Sequence, residues 1–252
     1  MYKIPANTLF LGKNIVFVPE CHSTNTLAAD LVEKTEMAEG SVVITAYQSA
    51  GRGQRGNTWL VEPGKNFTFS LILKPRFLSV KDQFYLNRFV SLGLTDYLQN
   101  YFGEQVKIKW PNDILIRDKK VCGILIENQL SGILLTQSIV GIGLNMNQKE
   151  FGVPTASSLA ALAGKEFDLQ IELEKLLSAL EGRYLQLKQN KLELLSKEYL
   201  QRLHWINEPH TFSSLDKNFE GEIIGMDEIG RLQIKSSEGI RTFDVKEVTY
   251  LN

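Results

Sequence analysis

The chain has 252 residues, a formal net charge of −1, and 43% hydrophobic against 23% charged residues. These are the proportions of an ordinary folded protein long enough for one large domain or a domain with a small companion. The absence of an uncharged apolar run of about 18 residues and of a signal-peptide core in MYKIPANTLF excludes a helical membrane span and points to the cytoplasm. A near-neutral balance argues against a nucleic-acid footprint spread over the whole molecule.

In chain order, "NIVFVP" (14–19) reads as a short strand. "STNTLAADLVEK" then sets Leu27, Ala28, Leu31 and Val32 on one helical face behind a Ser or Thr cap. "SVVITAYQ" (41–48) and "NFTFSLILKP" (66–75) are rich in β-branched and aromatic residues and predict two strands. The connection between them is roughly 17 residues, long enough to suggest function or mobility. Residues 81–102 carry helically spaced aromatic and leucine positions, predicting an amphipathic helix on a sheet. From 106 to 147, short apolar runs alternate with turn signals at Pro111, Arg117–Lys120 and Ser131–Gly132, predicting an antiparallel meander. Helices are expected over about 156–163 and, as one run, over about 170–203. Residues 210–252 read as short strands with turns at Asp227–Gly230 and Ser236–Gly239, suggesting a small barrel. Regular βαβ alternation is missing, so the expected class is α+β, a sheet domain over 1–207 followed by a small β domain over 208–252.

Cys21 and Cys122 lie far apart beside apolar or small residues and read as reduced thiols. His22, His204 and His210 form neither an HExxH motif nor a Cys/His cluster, so no dedicated metal site is expected. Chemistry must rest on other groups. In "AYQSAGRGQRGNTW" (46–59), glycines at 51, 53 and 56 allow backbone N–H groups to converge on an anion, with Arg52 and Arg55 as forked, permanently charged donors. Alone, the stretch fits equally a mobile surface loop or an RGG-like segment that touches nucleic acid. It is not a Walker A loop, and "GIGLNMN" (141–147) holds only a GxG. Asn145 there suits either a base edge or a closing turn. In "KWPND", Pro111 fixes a turn that leaves Asn112 and Asp113 at a strand mouth. Lys120, beside an apolar strand, reads by itself as a solvated turn residue.

Taken together, "STN" (23–25), "YQSAGRGQRGNTW" (47–59), "KWPNDILI" (109–116), "KKVCGILIE" (119–127) and "GIGLNMN" (141–147) resemble, in order and spacing, the biotin protein ligases. The resemblance covers most of 14–147 and extends to the C-terminal strands. It implies a class II synthetase-like catalytic domain, a largely antiparallel sheet with packing helices, plus a small SH3-like β-barrel. It also implies an enzyme that joins biotin and ATP into biotinyl-5'-AMP, with Mg2+ accompanying the ATP, and passes biotin to a lysine of a carrier domain. By position, Ser23, Thr24, Asn25 and Gln48 are implied to face the biotin head, with Gly53, Gln54 and Gly123 also on the biotin side. Arg52 and Lys120 are the implied catalytic pair, gripping the biotin carboxylate and the α-phosphate. Arg55, Trp59, Asn112 and Asn145 are implied for the adenylate, Trp59 stacking on adenine, with Asp113 a candidate for magnesium or water. The loop is implied to close over the intermediate when ligands bind. Several members carry arginine where this chain has Gln54, which leaves the clamp one charge short.

A lipoate protein ligase shares this logic but calls for a more apolar head pocket than Ser23, Thr24 and Gln48 provide. A nucleic-acid-binding module is the rival from another class, but the acidic and basic residues of 210–252 are mixed, with no basic face. The implied partner is a biotin carboxyl carrier domain of a biotin-dependent carboxylase such as acetyl-CoA carboxylase. Some members begin with a helix-turn-helix, but here the resemblance starts near residue 14, so DNA is not an expected partner. An exposed strand edge around 134–142 suggests pairing with a second subunit, giving a homodimer, or with the carrier.

Overall fold

The computed structural model describes residues 2–251, apart from the side chain of Arg55. Seven strands form the main sheet, in the order β1-β2-β3-β7-β6-β5-β4. They are β1 (Ile15–Cys21), β2 (Ser41–Gln48), β3 (Phe67–Leu73), β4 (Val106–Lys109), β5 (Asp113–Ile116), β6 (Lys119–Ser131) and β7 (Leu134–Leu144). β1 and β2 pair in parallel through helix α1 (Thr24–Lys34), and every other neighbouring pair in this sheet is antiparallel. The mixed α+β class expected from the sequence is therefore the one observed.

The sheet is buried on both faces, and strand alternation sorts its side chains. Phe67, Phe69, Leu71 and Leu73 of β3, with Val140, Ile142 and Leu144 of β7, join one large core. That core is completed by α2 (Phe84–Phe102), the short α3 (Leu159–Ala163), α4 (Leu169–Lys188) and α5 (Leu192–Gln201). Gly93 of α2 meets the backbone of Leu180, where a Cβ would stand 2.9 Å from its Cα, so the α2–α4 crossing requires a residue without a side chain. On the opposite face, Ile72 and Ile139 pack with Ala28 of α1, and the rest of that face is left to the site described below. Leu27, Leu31 and Val32 lean on the same small core, as the helical spacing predicts.

Two expectations are corrected. The single helix over 170–203 is two, because Asn190 takes a left-handed conformation (φ 58°) and turns α5 back across α2. From Ser138 onward the segment 134–142 is no exposed edge, since there β7 is hydrogen-bonded to β3 on one side and β6 on the other, while residues 134–137 pair with β6 alone among the strands. The edges of this sheet are β1 and β4.

Where a small barrel is expected, the structure has a five-stranded antiparallel sheet in the order β11-β10-β9-β8-β12. Its strands are β8 (Pro209–Ser214), β9 (Lys217–Met226), β10 (Leu232–Ser236), β11 (Gly239–Phe243) and β12 (Thr249–Leu251). Trp110, just beyond β4, donates its indole N–H to the Gly230 carbonyl at 2.9 Å, tying the two sheets together. No described helix is long and apolar enough to cross a membrane.

Candidate functional site

Three glycines make the floor. Gly123 on β6 and Gly141 and Gly143 on β7 fall on the sheet face turned away from α2, opposite the face that carries Ile124, Val140 and Ile142. With no side chains there, a cavity of about 580 Å3 opens between the sheet, the start of α1, the 51–59 loop and the second sheet. That size suits a small-molecule ligand.

Five sequence motifs converge on this cavity. Ser23, Thr24, Asn25 and Gln48 line one end. The Thr24 N–H donates to Gln48 Oε1 at 2.7 Å. Asn25 donates from Nδ2 to Glu127 at 2.7 Å and to the Leu125 carbonyl at 3.2 Å, while its Oδ1 lies 2.6 Å from Ser70 Oγ. The donors of this amide are thus committed to protein groups, which makes Asn25 a strut between α1, β3 and β6.

The glycine-rich loop forms the lid as a small hairpin. Arg52 bridges Thr58, the Trp59 N–H donates to the Gly51 carbonyl at 2.9 Å, and a 3-10 turn at Gln54–Gly56 closes the tip. A Cβ at Gly51 would strike the Trp59 carbonyl, so only glycine permits this hairpin. Arg52, Gly53, Gln54 and Trp59 all line the cavity. Arg52 Nη2 sits 2.9 Å from Glu127 Oε2, both side chains being nearly half exposed. The Trp59 indole lies over Gly143 and Gly123, with a Cβ at Gly123 falling 3.0 Å from its ring. The expected position of Arg55 falls on a side chain outside the described residues.

Lys120 reaches the cavity through an irregularity. In a regular strand it would share a face with Cys122 and Ile124, which point into the helix-side core. A β-bulge shifts the β5–β6 register so that Ile114 pairs with Cys122 and Leu115 with Lys120. Val121 is the extra residue, and the bulge turns Lys120 to the glycine face, with Nζ 2.7 Å from Asp113 Oδ1. Asn112 also lines the cavity, donating from Nδ2 to the Ile124 carbonyl at 2.7 Å. Asn145 is not in the lining: it is buried beside Lys120, donates to the Ser157 carbonyl at 3.0 Å, and keeps an Oδ1 without a partner.

The sequence reading missed several lining residues. Thr68 and Lys109 contribute from the main sheet, and Val245, Lys246, Val248, Thr249 and Tyr250 form a wall from the second sheet. Lys109 was in view within "KWPND", whereas nothing local in 245–250 marks those residues. Lys109 Nζ stands 4.7 Å from the Tyr250 ring centroid. Burial pushes the Lys109 ammonium below its ordinary value, with Asp113 opposing and Lys120 adding to the shift. Around the described lining, Arg52, Lys109 and Lys120 gather on the cavity, Arg52 against Glu127 and Lys120 against Asp113, so the cavity presents basic groups to an anion. Among the described residues no group of three His, Cys, Asp or Glu is placed to hold a metal.

The chain is similar to known proteins in sequence and fold. A profile of the Biotin/lipoate A/B protein ligase family matches residues 18–145. The chain is 30% identical to the bifunctional ligase/repressor BirA of Bacillus subtilis, over 93% of this chain and 73% of that protein. It is 28% identical to the biotin--[acetyl-CoA-carboxylase] ligase of Paracoccus denitrificans, over 90% of this chain and 98% of that one. The structure of the biotin protein ligase from Aquifex aeolicus in complex with biotin and ATP is similar over 95% of this chain and 99% of that one, with a TM-score of 0.78 and 25% identity.

Proposed function

The chain belongs to the Biotin/lipoate A/B protein ligase family, and from that premise we propose that it is an ATP-dependent biotin ligase acting on a carboxylase carrier domain. Similarity to a biotin--[acetyl-CoA-carboxylase] ligase and to a biotin protein ligase with biotin and ATP bound supports both substrates and the carrier class. The observation that carries the assignment is the cavity's polarity: neutral hydroxyl and amide groups at one end, and the basic groups of Arg52, Lys109 and Lys120 elsewhere. Biotin matches it, with a neutral ureido head and an anionic tail.

In this reading Ser23, Thr24 and Gln48 bind the ureido head, and the tail runs over Gly123 toward Arg52 and the backbone of Gly53 and Gln54. Arg52 and Lys120 neutralise the carboxylate and the α-phosphate, two anions that repel each other until both are compensated. A carboxylate oxygen then forms a bond to the α-phosphorus, the α–β phosphoanhydride bond breaks, and pyrophosphate leaves with the electron pair. In the second step a lysine amine of the carrier attacks the acyl carbon, loses its proton, and AMP departs. Trp59 and Asn112 flank the adenine. Arg55 and the unpartnered Oδ1 of Asn145 are assigned to the same nucleotide. Magnesium would accompany ATP as the counter-ion of the triphosphate, which with water supplies most ligands of such an ion; Asp113, the carboxylate of the described lining, would be its protein contact.

Residues 1–207 supply the ligand cradle and 208–252 its outer wall. The folded lid shields the mixed anhydride from water until the acceptor arrives. A lipoate ligase is disfavoured, because a dithiolane ring leaves Ser23, Thr24 and Gln48 without partners. Incubation with biotin, ATP, magnesium and a biotin carboxyl carrier domain is expected to add the mass of one biotinyl group. The same domain with its acceptor lysine changed to arginine is expected to stay unmodified. An unshifted mass for both would overturn the transfer step.

A further inference from the structure

A polar relay runs behind the neutral end of the cavity, and the direction of its hydrogens is set by two groups that only accept, the Glu127 carboxylate and the Leu125 carbonyl. Glu127 accepts from Asn25 Nδ2 at 2.7 Å and from Arg52 Nη2 at 2.9 Å. The other Nδ2 hydrogen goes to the Leu125 carbonyl at 3.2 Å. Both partners of Nδ2 only accept, so the amide has a single possible orientation. Its Oδ1, 2.6 Å from Ser70 Oγ, therefore claims the only proton Ser70 has. Ser70 Oγ is also 2.8 Å from Thr24 Oγ1, and with its proton spent it accepts there, so Thr24 donates. The Thr24 hydroxyl thus turns its proton away from the cavity and presents lone pairs to it. Beside it, Gln48 Oε1 is held by the Thr24 N–H, leaving the Gln48 amide hydrogens as donors. Ser70 is 0% exposed, so no water replaces its hydroxyl, whereas the Glu127 side chain is 42% exposed.

We infer that Glu127 is a positioning residue: together with the Leu125 carbonyl, and acting through Asn25 and Ser70, it holds Thr24 as an acceptor beside the Gln48 donor. The subsite so formed selects a ligand head that carries N–H donors next to a carbonyl, a cyclic urea. The same carboxylate holds Arg52 of the lid, so head polarity and lid share one anchor. The inference rests on the biotin reading and adds a specificity element behind the side chains that touch the ligand.

Biotin-dependent ATP–pyrophosphate exchange in the full chain, with biotin and ATP varied separately, tests it. Ser70→Ala removes one buried oxygen and leaves Glu127 and Arg52 in place. It is expected to raise KM for biotin about five- to tenfold, with kcat and KM for ATP within about twofold. Glu127→Ala is expected to raise KM for biotin similarly and, by releasing Arg52, to lower kcat. In Glu127→Gln the amide oxygen still accepts from Asn25, so KM for biotin is expected back within about threefold of the parent. A biotin KM unchanged in both alanine variants would overturn the relay. So would a Glu127→Gln variant as impaired as Glu127→Ala while Ser70→Ala behaves as the parent, because Glu127 would then act through Arg52 alone. A parent chain with no biotin-dependent exchange would bring down the biotin reading itself, a result visible before any variant is compared.

Discussion

Lys120 is where residue type and residue placement come apart. Its type suits an α-phosphate, but strand alternation from Cys122 and Ile124 assigns it to the apolar core, and only the bulge at Val121 brings it to Asp113 and the cavity. Bulges leave no dependable mark in a single sequence, so the position was legible through the motif and its geometry was not. Asn25 is the converse case, readable as a ligand contact yet committed to Ser70, Leu125 and Glu127. Glu127 itself ends a quoted motif but gave no local sign of its two partners. If Arg52 and Lys120 compensate the reacting anions, Arg52→Ala and Lys120→Ala are each expected to cut adenylate formation at least tenfold, about 1.4 kcal/mol of barrier. Thermal midpoints are expected to hold within a few degrees, since both side chains are substantially solvent-exposed. Pre-steady-state pyrophosphate release and a melting curve check this, and full activity in both variants would reassign the chemistry.

At the scale of elements, hydrophobic periodicity located β1, β2, β3, α1 and α2 to within a few residues and the 106–147 strands as one meander, because each buries a face that its own spacing announces. What it left out is set by contacts distant in sequence. The break at Asn190 exists so that α5 can return across α2, and the central place of β7 depends on pairing with β3, some seventy positions earlier in the roughly linear count of the chain. The bond from Trp110 to Gly230 is of the same kind: it joins the turn carrying Asn112 and Asp113 to a turn between β9 and β10. Around it the fit is close, since a Cβ on Gly230 would collide with the Phe84 ring. Trp110→Phe leaves the Gly230 carbonyl buried without its donor and is expected to cost about 1–3 kcal/mol in urea unfolding. A loss below a few tenths would show that the bond contributes little to holding the sheets together.

At the scale of the whole molecule, the cavity is completed by the second sheet, and its outer wall of 245–250 could not be read from the motifs. The junction carries a stack of rings, His204 lying 4.9 Å from Trp205 and 6.4 Å from Tyr250. Burial pushes the His204 imidazole down from its ordinary 6.5 to about 4, opposed by Asp118 and helped by Lys109. Between those two values the unfolded chain binds more protons than the folded one, so this group makes stability fall as pH drops from 6.5 toward 4. Above 6.5 its contribution to the slope vanishes. His204→Phe is expected to flatten that part of the stability profile in urea titrations at pH 7, 6 and 5, and parallel profiles would contradict it. The central claim is that this cavity activates biotin with ATP, and exchange of labelled pyrophosphate into ATP measures that step without any acceptor protein. Exchange that requires biotin and is absent with lipoate is the expected result; exchange with lipoate alone, or with neither acid, would contradict it.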